Sequence, residues 1–90
     1  MIIQVTLKYR ITSNPTSWQV EQRKSDRKDG SERWEPLYYH ADFQGALVSV
    51  AELQIRTIPD SSTVDEIKAT LGTIRDECVT ASKVFQELSV

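Results

Sequence analysis

The chain of 90 residues predicts an α+β fold, a three-stranded antiparallel β-meander followed by two α-helices packed on one sheet face (βββαα). Three observations carry that expectation. Apolar residues alternate with polar ones as far as Tyr39, they recur at spacings of three and four beyond Asp42, and turn-forming residues separate the periodic runs. Residues 1–90 are expected to form a single domain, with the meander over 1–39 and helices over 42–57 and 63–88, because so short a chain builds only one core.

The first strand is read from Ile3, Val5, Leu7, Tyr9 and Ile11 alternating with Gln4, Thr6, Lys8 and Arg10, which puts one face in a core and the other in water. Ser13-Asn14-Pro15-Thr16 then supplies turn chemistry. A second strand is expected over Trp18 to Arg23, and the charged run from Lys24 to Glu32 contains Asp29-Gly30, a tight-turn pair that predicts a protruding hairpin tip. The third strand is placed over Arg33 to Tyr39. Its Pro36 lacks a backbone donor and so favours an edge position or a bulge.

In the first helix Phe43, Ala46, Leu47, Val50 and Leu53 form one apolar stripe, which stops before Pro59 because proline disfavours helical geometry in the residue ahead of it. Thr63 and Glu66 predict a capped start for the second helix. Its seam of Val64, Ile67, Leu71, Ile74, Cys78, Ala81, Phe85 and Leu88 runs over roughly three heptads. At ~1.5 Å per residue the second helix is on the order of 37 Å long and the first about 24 Å. The excess length either covers the chain's own sheet, the simpler expectation, or projects as a dimer seam of Cys78, Ala81, Phe85 and Leu88.

A net charge of -2 gives no general attraction to nucleic acid or anionic lipid. Residues 1–35 hold seven Lys/Arg against five Asp/Glu, and residues 36–90 hold four against eight, so only the first half could present a basic face. The single Cys78 cannot make an internal disulfide, which fits a reducing compartment. No signal peptide or membrane span is read, and a cytoplasmic location is expected.

No constellation for catalysis, cofactor binding or metal binding is found. His40 and Cys78 each stand alone, and they read as a strand-to-helix turn residue and a small core hydrophobe. One His with one Cys gives no zinc spacing, and Gly30, Gly45 and Gly72 are scattered outside any phosphate-loop pattern. The chain is therefore expected to be non-enzymatic and to need no cofactor. Trp18, Trp34, Tyr38 and Tyr39 are candidates for anchoring a protein partner, since large rings dominate many interfaces, with core packing as their simpler role. Arg23, Lys24, Arg27, Lys28 and Arg33 are the candidates for nucleic acid, opposed by the interleaved Glu21, Asp26, Asp29, Glu32 and Glu35.

Across residues 18–80 the chain resembles short phage and prophage proteins, mostly uncharacterised, in the combination of Asp29-Gly30, Trp34-Glu35-Pro36, Tyr38-Tyr39, Asp42-Phe43-Gln44-Gly45-Ala46-Leu47 and the capped helix from Thr63. Such junctions usually carry Ser or Thr as the helix cap. Here Ala41 precedes Asp42, which can cap instead. The resemblance implies a meander followed by two helices, and no activity. If phage-encoded, the chain is expected in the host cytoplasm, binding a host or phage protein to block a defence system by occlusion. The alternative is an accessory protein that binds nucleic acid through the charged hairpin 21–35.

Overall fold

The computed structural model describes residues 1–25 and 32–88. Its elements are β1 (Ile2–Gln4), β2 (Tyr9–Ser13), β3 (Trp18–Ser25), β4 (Glu32–His40), α1 (Phe43–Arg56) and α2 (Val64–Leu88). The strands form one antiparallel sheet in the order β1-β2-β3-β4. The expected three-stranded meander is thus corrected to a four-stranded sheet followed by two helices.

The additional strand arises because the run read as one strand from Ile3 to Ile11 folds back on itself. The Thr6 hydroxyl oxygen accepts from the backbone N–H groups of Lys8 and Tyr9, each at 3.0 Å. Val5 and Thr6 both donate to the carbonyl of Tyr9. The fold opposes Ile3 to Ile11. Odd-numbered residues thereby stay on one face, so a hairpin pivoting near Leu7 has the same alternation as a straight strand. Leu7 distinguishes the two, being 83% exposed where a continuous strand would bury it.

The Asn14 side chain closes the next turn by accepting from the backbone of Thr16 and Ser17. Between β3 and β4 the register places Val20 opposite Tyr38 but Glu21 opposite Pro36, leaving Leu37 as an extra residue in a bulge on an edge strand. Pro36 is accommodated there. The Asp29-Gly30 turn expected from the sequence lies outside the described residues.

Asp42 caps α1, its carboxylate accepting from the Gly45 N–H at 2.7 Å. A Cβ at position 45 would lie 3.1 Å from that carboxylate and 3.3 Å from His40 Nδ1, so glycine permits the cap and the strand end to approach. Thr63 accepts from the N–H of Glu66 at the start of α2.

Both helices cover one sheet face. Ile3, Tyr9, Ile11 and Val20 of the sheet meet Phe43, Ala46, Leu47 and Val50 of α1 and Ala81 of α2, with Trp18, Leu37, Cys78 and Phe85 packed around them. Phe43 and Phe85 stack with centroids 4.2 Å apart, and Trp18 meets both edge-on at 5.6 and 5.5 Å. The far end of the long helix therefore contributes to the core of its own chain. Leu88, at its end, is 55% exposed.

Candidate functional site

The sheet face opposite the helices has no covering layer among the described residues. Because Ile11 and Val20 point into the core, their neighbours Arg10 and Glu21 point out, and these two oppose each other across β2 and β3. Arg10 Nε lies 2.6 Å from Glu21 Oε1, and the Gln19 side-chain amide donates to Glu21 Oε2 at 2.7 Å. Both carboxylate oxygens are satisfied. This is why an acid can be only 8% exposed on an uncovered face.

The Arg10 guanidinium continues across β3 and stacks 4.3 Å from the centroid of the Trp34 ring on β4. Trp34 is thus held from one side by a cation that is itself fixed by a carboxylate, whose other oxygen accepts from the Gln19 amide. Tyr39, two-thirds exposed, opposes Gln19 on the same face, and Ile2 is exposed on β1. Arg23 pairs with Glu32 at 3.2 Å, with both side chains about half exposed. The result is an organised aromatic and polar surface whose two described arginines are each matched by an acid.

The four aromatic candidates therefore separate. Trp18 lies in the core aromatic cluster, while Trp34 and Tyr39 lie on the open face. Tyr38 faces the helix side at the rim of a depression shared with Ser49, Glu52, Leu53 and Arg56. Of the basic candidates, Arg23, Lys24 and Arg33 sit on β3 and β4, with Lys24 opposite Arg33. Arg27 and Lys28 lie outside the described residues. Cys78, Ala81 and Phe85 pack against the core of their own chain.

Arg10 and its partner Glu21 were missed as site residues in the sequence. The signal was available only as an out-facing charge on each of two strands, since their pairing depends on the register.

On the covered side, His40 Nε2 lies 2.7 Å from the Ser49 hydroxyl. A hydroxyl beside an imidazole is the first step of nucleophilic chemistry, but Ser49 sits inside α1, where neighbouring amides are committed to helical hydrogen bonds and cannot form an oxyanion hole. One oxygen of the nearby Asp42 caps α1 at Gly45. The pair ties the end of β4 to α1. Burial, and then the charge of Glu77, pushes the Cys78 thiol up, away from the reactive thiolate. Among the described residues no three His, Cys, Asp or Glu side chains converge to hold a metal, and no helix is long and apolar enough to cross a membrane.

Comparison of this chain with protein-family models, with curated proteins and with solved structures gives no match in any of the three.

Proposed function

We infer that this chain acts by binding a protein partner through the open sheet face, with Trp34 and Tyr39 as anchors. The observation that supports this reading is the Glu21–Arg10–Trp34 series, which fixes a large ring on an uncovered face before any partner arrives. An anchor held in one conformation loses little entropy on docking, so more of its buried area contributes to affinity. The partner suited to it is a folded protein with an apolar recess for the indole and tyrosyl rings. Strand addition at β4 fits less well, because Pro36 and the Leu37 bulge interrupt that edge.

On the open face the charges weigh against nucleic acid as the ligand. Arg10 and Arg23 are each neutralised by a glutamate, and phosphate recognition depends on unpaired cations. Stoichiometric occlusion of a partner needs no catalytic group, and inhibition of a host defence protein is the form it would take in the phage setting that the sequence resemblance implies.

The test is affinity capture with the wild-type chain and with Trp34→Ala/Tyr39→Ala, in lysate of the source cells with and without nuclease treatment. A protein retained by the wild type and lost from the double variant is expected. Retention that is unaffected by the double substitution, or that disappears on nuclease treatment, would overturn the reading.

A further inference from the structure

A second surface feature lies on the opposite side of the molecule. Where the β1–β2 turn meets the C-terminal end of α1 and the middle of α2, the three elements line an open cavity of about 350 Å³. That volume is at the lower end of the range for small-molecule sites, which selects a ligand of few heavy atoms. Its floor includes the buried Tyr9 and Ile74.

The polar lining is divided by chemistry. On the α2 side Thr70, Thr73 and Glu77 recur at spacings of three and four, so they form one stripe along the helix. Thr70 and Thr73 donate their hydroxyl protons to the carbonyls of Glu66 and Ala69, which leaves their oxygens free only to accept. Glu77 also accepts. Desolvation raises its pKa, and it has no ion-pair partner among the described residues.

The other side offers donors from Thr6, Lys8 and Gln54, the exception there being Thr57, whose hydroxyl donates to the Gln54 carbonyl and is left only to accept. The Thr6 oxygen already accepts two backbone N–H groups, so its hydroxyl proton remains available. Lys8 has no carboxylate partner among the described residues. The side-chain nitrogen of Gln54 is buried without a hydrogen-bond partner, an arrangement that costs roughly 1–3 kcal/mol if nothing accepts from it.

We propose that this cavity binds a small zwitterion, a free α-amino acid, with its carboxylate toward Thr6, Lys8 and Gln54 and its ammonium toward Thr70, Thr73 and Glu77. Opposite charges on one small ligand match a donor wall that faces an acceptor wall. A simple anion would leave Glu77 opposed by nothing, and a simple cation would leave the Gln54 amide unsatisfied.

Titration of the ¹⁵N-labelled chain with L-serine and L-alanine tests this, with N-acetyl-L-alanine and L-alaninamide as ligands that each lack one charge. Saturable shifts at Thr6, Lys8, Thr73 and the Gln54 side-chain amide are expected with the free amino acids. Each blocked analogue should bind about tenfold more weakly or worse, as loss of a charge-assisted hydrogen bond implies. Glu77→Gln should weaken the free amino acids without changing the affinity for N-acetyl-L-alanine. No saturable shift at millimolar ligand, shifts centred elsewhere, or equal binding of the blocked analogues would each overturn the proposal. The analogue comparison uses the wild-type chain and does not depend on any variant folding.

Discussion

The covered and open faces of the sheet are drawn from alternate residues of the same strands, and they are ordered by different forces. Val20 and Glu21 are adjacent on β3 and both are buried, at 0% and 8% exposure. Val20 is buried by area, under the helices. Glu21 is buried by direction, because Arg10 and Gln19 close over its two oxygens. Area is non-specific and additive, whereas directional pairing contributes little net stability but fixes geometry. The covered face should therefore hold the fold, and the open face should hold the arrangement that a partner meets.

The largest test of that division is Phe85→Ala. The Phe85 ring stacks on Phe43 and meets the edge of Trp18, so its removal opens a hole where both helices and β3 converge. A loss of about 3 kcal/mol is expected in chemical denaturation, toward the low end for aromatic truncation because the ring is only partly enclosed. A loss below about 1 kcal/mol would mean that the far end of α2 does not help to hold the fold.

Next in size is the Arg10–Glu21 pair. Glu21→Ala leaves the guanidinium without its acceptor and should cost about 1–2 kcal/mol, with a coupling to Arg10→Ala of roughly half that in a double-mutant cycle. The coupling should persist in high salt, since the pair is largely shielded from solvent. Zero coupling would reduce the pair to an ordinary surface contact. Trp34→Ala should then cost less than about 1 kcal/mol, because its ring is seated on Arg10 outside the hydrophobic core. A larger loss would make the open face a structural element as much as the covered one.

Only the helical part of this division was legible in the residues. The α1 stripe and the Thr63 start of α2 could be read because a helix carries its pattern within one segment. The first strand could not be bounded. Alternation over Ile3–Ile11 survives a hairpin whose register opposes odd to odd, and only the Thr6 side chain, a weak turn signal, marks the fold-back. The open-face series was hidden for a related reason. Arg10, Glu21 and Trp34 belong to three strands and are far apart in the chain, so their contact depends on register and on the Leu37 bulge. The cavity near Gln54 depends on the same hairpin and was equally out of reach.

The smallest expected effect concerns Glu77, an acid that the helix layer holds at a cost. Desolvation raises the Glu77 pKa above its ordinary value of 4.5, so the folded chain holds that proton more tightly than the unfolded chain does. The folded state is therefore penalised when the carboxyl is charged, at pH above its folded pKa, and the penalty vanishes below the unfolded value. Glu77→Gln removes the charge at nearly constant size. The variant should melt slightly higher than the wild type at neutral pH, and the two melting curves should converge as the pH falls through the carboxylate range. A gap that persists in acid would assign the effect to packing of the amide. A variant less stable than the wild type at neutral pH would show that the carboxylate is compensated, and that the helix layer, like the open sheet face, uses directional pairing to hold a charge.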